Sequence, residues 1–254
     1  MAISESTRIP GLSRVRRRIV EAGKALAVAG VLSPSHHGNI SVRLPDTELI
    51  LLTGASAISA LRVDDLALLD LDGQIIEGRL APSAAEIIRM HTGIYRKRAD
   101  VGAVIHTHSP FVTTFAVANV PLPVVAEPLV RFGIVEPVPV AAYAPRGSDA
   151  AVANIVEAVG PETRAVLLQN HGALAFAETL DQARHLILIL EETAQSALRA
   201  AALGGATEIP PAARRAAQER AAAFEAHGAL TAAEHHDYHD HDHHGHDHAG
   251  HHHH

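Results

Sequence analysis

Apolar residues recur with a helical period over residues 11–30, GLSRVRRRIVEAGKALAVAG, at Val15, Ile19, Val20 and Leu26, and Gly30 supplies a stop. The pattern then turns to β. GNISVRL and ELILLTG, separated by PDT, read as two strands of a hairpin, and LALLDLDGQIIEG reads as a second hairpin turning at Asp72-Gly73. SAAEIIRMHTGIYRKR returns to the helical period. Ser83 is its expected N-cap, and Glu86, three positions on, completes a capping box. GAVIHTHS predicts a strand running into a polar edge, SPFVTTFAVAN a short helix, and VPVAAYAP a strand. SDAAVANIVEAVG predicts a helix capped by Ser148 or Asp149. AVLLQNHGALAFA predicts a strand, a turn at Asn170–Gly172 and a second strand, and TLDQARHLILILEETAQSALRAAALG a long helix. Strands and helices interleave, but several strand pairs are hairpins. The expected class is therefore α/β with a mixed, largely antiparallel sheet covered by helices. No G-x-G-x-x-G follows a strand, and there is no P-loop.

Composition narrows the chemistry. Hydrophobic residues make up 47% of the 254, aromatics only 3%, and Trp is absent, so the core is built from Ala, Val, Leu and Ile. A net charge of −7 gives no electrostatic footprint for nucleic acid. Cysteine is absent, so a metal site must use His, Asp or Glu. No apolar run reaches the roughly 18–20 residues of a membrane span, and a soluble cytoplasmic protein is expected. Residues 1–230 read as one folded domain. Residues 231–254 read as a disordered tail, whose end HHDYHDHDHHGHDHAGHHHH holds 12 of the 20 histidines interspersed with aspartates, a composition that collects metal ions and builds no core.

Outside the tail, three histidines share a setting. His106 and His108 end a strand, where i, i+2 spacing puts both side chains on one face, and His171 sits at a strand–turn–strand junction before Gly172. Three neutral imidazoles leave an open position on a divalent ion, the pattern of a catalytic site. Glu86, twenty residues upstream of His106, is placed to be a fourth ligand or an acid/base. The same spacing also fits one buried and one exposed histidine, with His171 a turn residue.

The segments GNISVR (38–43), LLTGAS (51–56), LAPSAAE (80–86), RADVGAVIHTHSPFVTTFA (98–116) and AVLLQNHGALAFAETLDQA (165–183), in this order, resemble the class II aldolase/adducin family. The resemblance implies a three-layer α/β/α domain, a homotetramer with active sites at subunit interfaces, and one divalent ion (zinc, manganese or cobalt) per subunit. His106, His108 and His171 match the metal ligands, and Glu86 looks like the acid/base. Asn39, Ser41, Thr53, Gly54 and Ser83 match positions that bind substrate phosphate, although the run Pro82–Glu86 lacks one of the family's two serines. Arg131 and Arg146 lie in loops that border the site, available to a substrate carboxylate or simply exposed. His91 is expected to pack or to stand behind the residues that form the site, Tyr143 to lie in the core, and His36 and His37 to border the pocket. The implied activity is metal-dependent carbon–carbon cleavage, retro-aldol on a small ketose or ketose phosphate. Alternatives are decarboxylation of a hydroxy-aryl or keto acid, 4-epimerisation of a sugar phosphate, and an adducin-like module without catalysis.

Overall fold

The computed structural model describes residues 9–54 and 56–239. The chain opens with α1 (Leu12–Val28), then runs through β1 (His37–Arg43), β2 (Leu49–Thr53), β3 (Ser56–Ala57), β4 (Leu66–Asp70) and β5 (Ile75–Glu77). A 3-10 turn over Pro82–Ala84 leads into α2 (Ala85–Lys97), followed by β6 (Ala103–Thr107), α3 (Pro110–Ala118), α4 (Glu127–Arg131) and the two-residue β7 (Val140–Ala141). Helix α5 (Asp149–Ala158), the hairpin β8 (Ala165–Leu168) and β9 (Gly172–Ala177), α6 (Leu180–Ala200) and α7 (Pro211–His239) complete it.

Eight strands form one path, β5-β4-β2-β1-β6-β9-β8-β7, and β3 joins as a ninth against β1. Every pair is antiparallel except β7 with β8, which α5 connects as a crossover. The alternation of side chains along each strand builds a core on each face of the sheet. Ile40, Leu51, Leu68, Ile105 and Ala175 point to one face, under Ile19 and Leu26 of α1, Val112 of α3, Leu129 of α4 and Leu186 of α6. Their neighbours Ile50, Leu52, Leu69, Val104, Leu174 and Phe176 point to the other, under Ile87, Met90 and Ile94 of α2 and Ile155 of α5. The result is the expected three-layer α/β/α sandwich with a largely antiparallel sheet.

Local chemistry explains most boundaries. Ser148 caps α5 by accepting from the amide of Ala151, as its sequence predicts. Thr179 and Gln182 cap α6 reciprocally. Helix α3 starts at Pro110, and its first amides are taken by a residue remote in sequence. The buried Glu191 carboxylate of α6 accepts from Phe111 and Val112 at 2.8 and 2.9 Å. The capping box expected of Ser83 and Glu86 does not form. The 3-10 turn carries the chain one residue further, Ala84 becomes the N-cap, and no side chain caps α2. Helix α7, which carries no apolar stripe, is fixed by Arg214. That side chain is buried at 3% exposure and donates to the carbonyls of Val135 and Ile209. The helix continues past residue 230 to His239, and the rest of the expected tail, 240–254, lies outside the described residues. Among the described residues no helix is long and apolar enough to cross a membrane.

Candidate active site

Strand β6 carries the site. His106 is its penultimate residue, paired with Asn39 of β1 on one side and Leu174 of β9 on the other, so its side chain shares the α2/α5 face with theirs. His108 follows the strand on the same face. His171 arrives from the β8–β9 turn, which Asn170 makes in a left-handed conformation, φ 59°, and which His171 N–H closes on Leu168 O at 2.9 Å. The three rings stand at 4.7–4.9 Å between centroids, and one ring nitrogen of each lies within 4.8 Å of the others.

Two glycines permit this convergence. A Cβ on Gly172 would stand 2.5 Å from Thr107 O and 2.9 Å from the His108 ring. One on Gly38 would stand 2.5 Å from His106 O. Both are closer than real Cβ contacts come, so only glycine lets β1 and the β8–β9 turn approach the histidine end of β6.

The donor set fits a divalent ion. His106 Nδ1 lies 3.0 Å from Ala173 O, so it carries the proton, and Nε2 keeps its lone pair. That Nε2 is 3.1 Å from His108 Nε2. Nitrogens held about 2.1 Å from a tetrahedral ion stand roughly 3.4 Å apart, so the spacing is close to what such an ion imposes. All three imidazoles are held neutral, the form that ligates. Burial, then the neighbouring His171 and His108, pushes His106 well below its ordinary value. Burial and His37 lower His108. Burial, His108 and Arg146 bring His171 down to about 4. His106, His108 and His171 thus form a group able to hold a metal ion.

The three histidines lie at the polar end of a cavity of about 440 Å³ between the sheet, α2, α5 and the loop after β7. Of the expected site residues, Asn39, Glu86 and Arg146 also line it. Glu86 enters from the first turn of α2 with its side chain 18% exposed, and Arg146 reaches over from the loop before α5 to pair with it. His37 borders the cavity and His36 does not; His36 Nδ1 is bonded instead to Ser59 Oγ at 2.7 Å.

Five residues expected to touch substrate are placed elsewhere. Ser41 is fully buried between His91 and Tyr95, because i, i+2 spacing from Asn39 carries it deeper under α2. Thr53 is fully buried, its Oγ1 accepting from Ile40 N at 3.0 Å. Gly54 follows it and faces Leu80. Ser83 is exposed on the 3-10 turn and outside the cavity. Arg131 ends α4, whose buried residues belong to the opposite face of the sheet.

Residues missed from the sequence supply the rest of the cavity. Tyr143, expected in the core, lines its rim at 62% exposure, with its backbone N–H held by Gln169 Oε1 at 2.8 Å. Ile87, Met90, Val152 and Ile155 form an apolar wall. Their helical spacing signalled a buried face but not that part of it opens to a cavity.

The model of the class II aldolase and adducin N-terminal domain matches residues 17–198, and the chain belongs to that family as one of its enzymes. Similar to it are a 5-deoxy-D-ribulose 1-phosphate aldolase of Bacillus thuringiensis, 32% identical over 78% of this chain and 91% of that one, and a 5-methylthioribulose-1-phosphate/5-deoxyribulose-1-phosphate aldolase of Rhodospirillum rubrum, 34% identical over 74% and 82%. A solved L-fuculose 1-phosphate aldolase superposes with a TM-score of 0.72 over 82% of this chain and 96% of that one, at 29% identity.

Proposed function

We propose that the protein is a divalent-metal-dependent carbon–carbon lyase that cleaves a small ketose phosphate by a retro-aldol reaction. The observation that carries this reading is the meeting of three neutral imidazoles and a carboxylate, Glu86, on one cavity. The named activities of the Bacillus and Rhodospirillum relatives, both aldolases of 1-phosphorylated ketoses, support it.

A divalent ion held there, Zn²⁺, Mn²⁺ or Co²⁺, supplies a Lewis acid for the substrate carbonyl oxygen. The chain's own groups do the rest. Glu86 takes the proton of the hydroxyl beside the breaking bond. That carbon leaves as an aldehyde, and the electron pair of the broken bond moves toward the carbonyl. Glu86 then returns the proton to the carbon left behind, so atoms and charge balance. Arg146 orients Glu86 at the rim, and Asn39 offers hydrogen bonds beside His106. The apolar wall excludes water from the reacting atoms. The exposed rim residues Tyr143 and Arg146 suit a pocket closed by a neighbouring copy in a homotetramer.

An assay panel tests the reading. With Zn²⁺, Mn²⁺ or Co²⁺ added, ketose 1-phosphates are expected to release aldehyde and dihydroxyacetone phosphate. Release of CO₂ from hydroxy-aryl or keto acids instead would make the enzyme a decarboxylase, and inversion of a sugar phosphate without cleavage would make it an epimerase.

The segment from His235 to His254 is proposed as a metal store. Clustered imidazoles and carboxylates ligate several first-row divalent ions. Its deletion is expected to leave turnover unchanged at saturating metal and to lower it when metal is scarce. Lost activity at saturating metal would mean that the segment serves the site itself.

A further inference from the structure

Behind Asn39, which lines the cavity, runs a chain of buried polar side chains, Ser41, His91 and Tyr95, that the reaction above does not use. Tyr95 Oη lies 2.8 Å from Ser41 Oγ, Ser41 Oγ lies 2.6 Å from His91 Nδ1, and His91 Nε2 lies 2.5 Å from Asn39 Oδ1. None of the four residues is more than 4% exposed.

We propose that His91 is a positioning residue that, with Ser41 and Tyr95, fixes the amide of Asn39 so that its two N–H groups face the pocket as donors for an anionic oxygen of the substrate.

The direction of the chain follows from proton bookkeeping. The Tyr95 hydroxyl has one side-chain partner among the described residues, Ser41 Oγ, and a buried phenol proton without an acceptor is costly. Tyr95 therefore donates to Ser41. The Ser41 proton is left to His91, which accepts it at Nδ1. Burial drives the His91 pKa down to about 3, so the ring is neutral and carries its single proton on Nε2. That N–H donates to Asn39 Oδ1. With its oxygen held, the amide can only turn its nitrogen to the cavity, where Asn39 stands opposite His106 in the ladder. The reverse polarity would leave the Tyr95 proton with no acceptor. It would also turn the Asn39 oxygen toward the pocket, where it would repel an anion. Ser41 thus acts on the substrate at one remove: its hydroxyl sets the tautomer of the histidine that sets the amide.

Donors that meet a substrate anion in both ground and transition states affect KM more than kcat. Only the word substrate rests on the proposed reaction, and the test separates the two. Nitrogen-15 NMR of the zinc-loaded full chain, labelled at histidine and with His91 assigned through His91→Gln, reads the tautomer without any substrate. The proton is expected on Nε2; finding it on Nδ1 overturns the proposal. In kinetics with a ketose 1-phosphate, His91→Leu is expected to raise KM about 10- to 100-fold, the scale of a misplaced binding group, with kcat within about threefold. His91→Gln supplies one donor and one acceptor and should recover most of that loss. A wild-type KM in His91→Leu overturns the proposal. If His91→Leu does not fold, Tyr95→Phe decides. It removes the proton that sets the direction, so the His91 tautomer should become mixed and KM rise about three- to tenfold, the value of one hydrogen bond. Unchanged tautomer and KM in that variant overturn it. An Nε2 proton in a protein that cleaves no ketose phosphate would sink the reaction and uphold the orientation of Asn39.

Discussion

His106→Ala is expected to leave the protein without its ion and without turnover. His106 is the most enclosed of the three histidines, at 3% exposure, and among the described residues the only one of them with a ring nitrogen anchored to backbone, at Ala173 O. Its removal leaves His108 and His171, two imidazoles on a loop and a turn that no longer share a fixed third point. Losing a Lewis acid worth several kcal/mol should cost at least about 10³-fold in turnover, at roughly 1.4 kcal/mol per tenfold. The measurement is metal content after dialysis, alongside activity, in a chain that ends before His235 so that tail histidines do not contribute ions. A truncated His106→Ala protein that kept one ion per chain and normal turnover would remove the metal site from these residues.

Glu86→Gln should separate ion from proton. The amide keeps the size of the carboxylate and can still bond to Arg146 through its oxygen, but it cannot take a proton. Metal content should therefore match the parent protein while kcat falls by about 10²-fold or more, the usual scale for a lost general base. Turnover within a few-fold of the parent would reduce Glu86 to a residue of the first turn of α2, where a carboxylate is favoured by the helix dipole in any case. Arg146→Ala would then help to interpret the result, because the guanidinium is Glu86's direct partner at the rim.

The sequence carried the histidine cluster and the sheet because both rest on short-range periodicity. The i, i+2 histidines had to share a face, and the turn at Asn170–Gly172 had to be tight. What it did not carry was depth. Asn39 and Ser41 lie on one face of β1 and look equivalent as letters, and both meet His91 of α2, yet only Asn39 reaches the cavity while Ser41 is enclosed between His91 and Tyr95. The same blindness put Tyr143 in the core, since an aromatic residue after a strand gives no sign that its loop stands open. Helix α7 went unread for the opposite reason: an Ala- and Arg-rich run shows no apolar stripe, and what pins it is a single buried guanidinium that meets carbonyls 79 and five residues away. Ser83 failed as a cap because the chain takes a 3-10 turn before α2, a shift of one residue that no pairwise motif registers.

The two glycines flanking the end of β6 change how damage to this enzyme should be distributed. Neither has a side chain, and neither takes part in the proposed chemistry. Yet even a methyl group on either would have to displace backbone, on one side the His106 carbonyl and on the other that of Thr107 together with the His108 ring. A saturating mutational scan would therefore find, beside the histidines, two equally intolerant positions where no residue but the native one is accepted. In this fold the space that is kept empty constrains sequence change as tightly as the groups that react.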